Sequence, residues 1–166
     1  MITYKEFQIK VMADVFKKQE KNTFEPALYM LTKNNRRKIG PIPGEMFEDK
    51  EVVKDTCIKM NRIAGSIYCC FVSECNFTKI DKEECDSIGI DFEKLGSEGL
   101  TDKEAHMIRK LAVEGLVFNF DSINDSYEVN VFKKVNNTYM PMHELNEENG
   151  FQEDAVDGTF SNLLSK

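Results

Sequence analysis

The chain has 166 residues, 41% hydrophobic and 31% charged, with twelve Phe and no Trp. That length suits one domain with a real core, and the mixed charges exclude a disordered polyelectrolyte. The longest apolar run, Ile67 to Val72, is far short of the roughly 18 residues a bilayer span needs, so no membrane segment is expected.

The N-terminal Met-Ile-Thr-Tyr-Lys-Glu lacks an apolar leader, which predicts action in the cytoplasm. Five cysteines (Cys57, Cys69, Cys70, Cys75, Cys85) form an odd set without a Cys-x-x-Cys pair, as a reducing compartment favours. Adjacent Cys69 and Cys70 sit in an apolar run and read as small hydrophobes. His106 and His143 lie far apart and lack further ligands at metal spacing, so neither a metal nor a cofactor is implied. The net charge is −7, and residues 143–166 hold six acids and one Lys. The body is thus nearly balanced, and charge alone selects no polyanionic partner.

In chain order, Tyr4, Phe7, Val11, Met12, Val15 and Phe16 recur at helical spacing and predict an amphipathic helix over 3–20. Thr23 to Thr32, with Phe24, Ala27, Leu28, Tyr29, Met30 and Leu31 in a short apolar run that starts around Pro26, reads as a strand, and Lys33-Asn34-Asn35-Arg36 as a turn into a return strand over 37–42. Val52, Val53, Thr56, Cys57, Met60, Ile63 and Ala64 predict a second helix, stopped at Gly65. Ser66 to Thr78 predicts a central strand, with Ile67, Cys69, Phe71, Cys75 and Phe77 on one face. Residues 81–100 read as a long loop with a short helix at Phe92 to Leu95. Thr101 and Glu104 form a capping box for a third helix that carries Ile108, Leu111 and Ala112 inward and ends at Gly115. Three antiparallel strands follow, starting at Leu116, Tyr127 and Thr138, as a meander with one wet face. The expected class is α+β: a mainly antiparallel sheet of five to six strands, with three helices chiefly on one face. Residues 1–142 are expected to be the domain and 143–166 an acidic tail.

The run Pro26-Ala-Leu-Tyr-Met-Leu, an acidic helix, the strand Phe71-Val-Ser-Glu74 and the spacing His106-x-x-Arg109 together resemble a loose group of small uncharacterised α+β proteins of bacteria and their phages. There a Ser-Glu strand, usually followed by a Trp that this chain lacks, precedes a His-x-x-Arg segment and a closing hairpin. The resemblance spans about residues 4–142 and implies a fold but no activity. It also implies a bacterial or host cytoplasm.

Five features could carry function. Glu74 stands where its strand turns from apolar to polar, a place where a carboxylate can become a general base. Lys103, His106, Arg109 and Lys110 share a helical face that could receive an anion. Lys33, Arg36, Arg37 and Lys38 concentrate four cations at a turn able to grip a phosphate backbone, although few aromatics are present to stack bases. Gly40-Pro-Ile-Pro-Gly44 lacks the Lys-Ser or Lys-Thr of a phosphate loop, and Ser73 lacks a nucleophile elbow. The tail combines its acids with Phe151, Phe160, Leu163 and Leu164, which suits docking into a partner with a basic or apolar groove. The leading expectation is a non-catalytic protein acting through protein contacts. Its rivals are a small hydrolase or ligand-binding enzyme centred on Glu74 and a nucleic-acid accessory protein using Lys33 to Lys38. With an isoelectric point near 5.0, nucleic acid is not the expected partner.

Overall fold

The computed structural model describes residues 1–77, 82–91, 93, 99–109, 113–124, 127–141 and 162–164. Its helices are α1 (Tyr4–Glu20), α2 (Lys50–Ala64), α3 (Lys82–Ile88) and α4 (Asp102–Arg109). Its strands are β1 (Ala27–Thr32), β2 (Arg37–Pro41), β3 (Ser66–Phe77), β4 (Val113–Ser122), β5 (Glu128–Val135) and β6 (Thr138–Pro141). The six strands form one antiparallel sheet in the order β2-β1-β3-β4-β5-β6, so the architecture is α+β as expected.

Local chemistry sets the element boundaries. The Thr3 hydroxyl accepts from the Glu6 amide at 3.2 Å while the Glu6 carboxylate accepts from the Thr3 amide at 2.6 Å, a reciprocal cap that starts α1. Those two bonds hold the Glu6 carboxyl below its ordinary acidity range. The same device opens α4, where Thr101 and Glu104 exchange 3.2 Å bonds. Asp49 caps α2, and Gly65 ends it in the left-handed region at φ 64°, where a Cβ would be strained. Asn136 and Asn137 both adopt positive φ, 49° and 64°, which matches the twist of a two-residue hairpin between β5 and β6.

The helices do not bunch on one face. Phe7, Val11 and Val15 of α1 pack with Tyr29, Leu31, Cys70, Val72, Leu116, Phe118 and Phe120 on one side of the sheet. Val53 and Cys57 of α2 pack with Leu28, Met30, Cys69 and Phe71 on the other. Successive residues of β1 and β3 therefore enter different cores, which is why both strands read as continuous apolar runs. Gly40 of β2 lies under this second core; a Cβ there would fall 1.8 Å from the Met60 methyl.

Other expectations shift in detail. Ile67 joins the α1 core beside Tyr68, not the Cys69 face, because the pairing slips from Leu31↔Tyr68 to Thr32↔Ser66 and leaves Ile67 as the extra residue of a bulge. On α2, Val52 and Ile63 are exposed, Ile63 at 88%, so the buried stripe is narrower than the apolar spacing implied. The 81–100 stretch contains α3, and the proposed helix at Phe92 to Leu95 lies outside the described residues apart from Glu93. The third helix ends by Arg109 and Gly115 sits inside β4, paired with Lys133; Leu111 and Ala112 lie outside the described residues. Nor does β4 keep a wet face, since Val117, Asn119 and Asp121 are buried as fully as Leu116, Phe118 and Phe120. Asn119 is satisfied there by donating to the Phe71 carbonyl at 3.3 Å.

The end of the chain explains part of that second covered face. Leu163 is 1% exposed in the α2 core, with its carbonyl accepting from the Asn61 amide at 3.0 Å. The Leu164 amide donates to the Asp121 carboxylate at 3.0 Å. Of these two leucines, both expected to belong to a separate tail, Leu163 is a core residue of the domain and the half-buried Leu164 packs against that core.

Among the described residues no helix is long and apolar enough to cross a membrane.

Candidate functional site

Two surfaces collect chemistry, both beside α1, one toward the β5–β6 end of the sheet and one at the β2 edge. The first follows from sheet register. Glu74 pairs with Leu116, and Leu116 pairs with Phe132, so all three share the α1 face. Two residues along their strands, Glu114 and Lys134 share that face, and the Asn136-Asn137 turn sets Tyr139 opposite Lys134. Here α1 runs out. Phe16 makes its last large apolar contacts, with Phe132 at 4.9 Å and Tyr139 at 6.0 Å between ring centroids. Beyond it, Gln19, Glu20 and Asn22 border the space that follows.

The result is a polar cleft of about 450 Å³ lined by Gln19, Asn22, Glu74, Cys75, Glu114, Gly115, Lys134 and Tyr139. It continues into a neighbouring volume of about 550 Å³ that adds Phe16, Glu20, Phe132, Asn137 and Thr138. Within it, Lys134 and Glu114 form an ion pair at 3.4 Å, and the Gln19 amide donates to Glu74 at 3.2 Å. Burial pushes the pKa of the Tyr139 phenol above its ordinary value, with Lys134 opposing and Glu74 and Glu114 adding to the rise. Tyr139 thus stays a neutral hydroxyl near pH 7.

The second surface is the open edge of β2. Lys33, Arg36, Arg37 and Lys38 are all exposed along this hairpin, as the sequence suggested. Register sets Arg37 and Ile39 toward α1 and Lys38 toward α2. Between α1 and β2 runs a groove of about 280 Å³ bordered by Phe7, Val11, Met30 and Ile39 and by Lys10, Asp14, Arg37 and Lys38. Asp14 is engaged from the other side: the Tyr29 hydroxyl donates to it at 2.9 Å and Lys18 pairs with it at 3.0 Å. Burial pulls the Asp14 carboxyl up, but those two bonds outweigh it and keep it below its ordinary value of 3.8.

The remaining candidates fall elsewhere. His106 is exposed on α4, while the side chain of Arg109 and all of Lys110 lie outside the described residues. Phe151 and Phe160 also lie outside them, so the structure brings neither to Leu163 and Leu164. Leu163 is spoken for by the core, which removes it from any exposed docking motif. Ser73 is buried, with its hydroxyl oxygen lacking a partner inside the sheet. Burial pushes the Cys57 thiol up to about 12 and those of Cys69 and Cys70 well above their ordinary range, which disfavours the reactive thiolate. Among the described residues no three metal-ligating side chains converge.

Sequence reading found Glu74 and the basic turn but missed Gln19, Asn22, Glu114, Lys134, Tyr139, Lys10 and Ile39. Part of the cleft was accessible: the Asn136-Asn137 turn alone fixes the Lys134–Tyr139 pair. The position of Gln19 over Glu74 depends on where α1 crosses the sheet, which periodicity does not encode.

Comparison with family models, with curated proteins and with solved structures gives no match.

Proposed function

We propose that this chain is a non-catalytic binding protein of a bacterial or phage-infected cytoplasm that works through protein contacts, with the β2 edge as its docking surface. The observation that carries this reading is the coincidence of a strand edge unpaired among the described residues, an apolar groove and a run of cations. An edge strand offers backbone donors and acceptors to an incoming strand, and side chains beside it select which strand is accepted. Here Ile39, 50% exposed, offers an apolar contact, and among the described residues no ion pair engages Arg37 or Lys38. The complementary partner is an extended segment bearing acids and alternate apolar residues. Electrostatic attraction would speed its encounter, and strand pairing would fix its register.

This reading relocates the interaction surface. An acidic tail led the sequence argument, but its Leu163 and Leu164 serve the domain itself. The cations of β2 have a competing role as guards that keep two edges from pairing, and a nucleic-acid backbone is the other ligand they could meet.

A photo-crosslinking residue in place of Ile39, with a control in place of Glu20, separates these possibilities. We expect a protein adduct from position 39 only, lost in an R37E/K38E variant that melts like the parent. Adducts to nucleic acid would favour the accessory reading, and self-association of the charge-reversed chain with partner capture intact would mark the cations as edge guards.

A further inference from the structure

We propose that the cleft below the end of α1 is a binding site for a small organic cation, one with an ammonium group on an apolar body. It lies by the β5–β6 side of the sheet, away from the β2 edge, and does not depend on the protein-contact reading.

The charge balance of the cleft comes first. Glu20, Glu74 and Glu114 border it against one cation among the described residues, Lys134, which is already paired with Glu114 at 3.4 Å. Among the described residues, Glu74 is hydrogen-bonded only to the neutral Gln19 amide, at 3.2 Å, and no ion pair neutralises it. A concave site with excess carboxylates focuses a negative potential that concentrates cations and repels anions.

The walls supply the second half of the argument. Tyr139 borders both volumes, sharing the first with Glu74 and Glu114 and the second with Glu20, Phe16 and Phe132, so a ligand whose head reaches Glu74 can extend its body along the aromatic wall of the neighbouring volume. Aromatic groups near a carboxylate suit an organic ammonium far better than a hydrated metal ion or a sugar, because they contribute burial and cation–π attraction together. The Tyr139 hydroxyl and the amides of Gln19 and Asn22 provide polar contacts without adding positive charge. At about 450 and 550 Å³ for the two joined volumes, the space admits a molecule of one ring plus a charged head.

Titration of the full chain with benzyltrimethylammonium, followed by calorimetry and amide chemical shifts, tests the proposal, with benzoate and benzyl alcohol as anionic and neutral counterparts. Saturable binding of the cation alone is expected, with shifts centred on Gln19, Asn22 and Tyr139. Glu74→Gln should weaken it by about tenfold, the factor that corresponds to one lost charge-assisted contact. Because Glu74 is exposed, that variant should melt like the parent; Glu114→Gln, also at an exposed position, provides an independent second loss. Equal binding of benzoate, shifts remote from the cleft, or undiminished affinity in both folded variants would overturn the assignment.

Discussion

Phe71 shows how much of this fold rests on single side chains. It is fully buried in β3, packs in the α2 core and stacks on Phe47 with ring centroids 6.0 Å apart. Truncation to Ala would remove that burial and leave a cavity that rigid strands on both sides cannot close. We expect Phe71→Ala to cost about 3 to 5 kcal/mol in denaturant unfolding. A loss below about 1 kcal/mol would mean that the site repacks freely. Cys69 and Cys70 flank it as small buried groups on opposite faces, the hydrophobic role their apolar setting suggested.

At the scale of elements, the end of the chain behaves differently from its composition. Leu163 fills the α2 core and is tied to Asn61, while Leu164 is tied to Asp121 of β4, so residues 163–164 link α2 to the sheet. Leu163→Ala should therefore destabilise the domain by about 2 to 5 kcal/mol, and truncation after Met142 should lower the melting temperature rather than spare it. A Leu163→Ala cost within about 0.5 kcal/mol, the usual range of a surface change, would return the segment to a dispensable tail. The acids around these leucines dominate the composition and hide their packing role. Elements set by local chemistry were legible: the Thr101 cap, the Gly65 stop, the asparagine turns and the period-two strands. Features set by tertiary contact were not. Whether α2 lies on the same face as α1 depends on the hand of the crossing between β2 and β3, and the bulge at Ile67 depends on pairing with β1. The early start of β4 likewise reflects pairing with the far end of β3, which no window of sequence contains.

For the whole molecule, the sheet joins two surfaces of unlike charge. One edge presents Arg37, Lys38 and Ile39, and the opposite side holds the cleft of Glu74, Glu114 and Lys134. The central strands between them are covered by apolar cores on both faces, so neither surface need deform the body when it is occupied. Such a rigid frame suits recognition by pre-formed elements, in which affinity comes from contacts at the rim rather than from ordering of the core. Glu74 was readable as a notable acid from its strand alone, yet its company of Gln19, Glu114, Lys134 and Tyr139 comes from four separate segments. The most direct test of the central claim is amide hydrogen exchange of the full chain, alone and bound to the partner recovered by crosslinking from position 39. Docking at the β2 edge predicts new protection confined to amides within Arg37 to Gly40 and the facing turn of α1. Protection that appears elsewhere while β2 exchanges as in the free protein would contradict it.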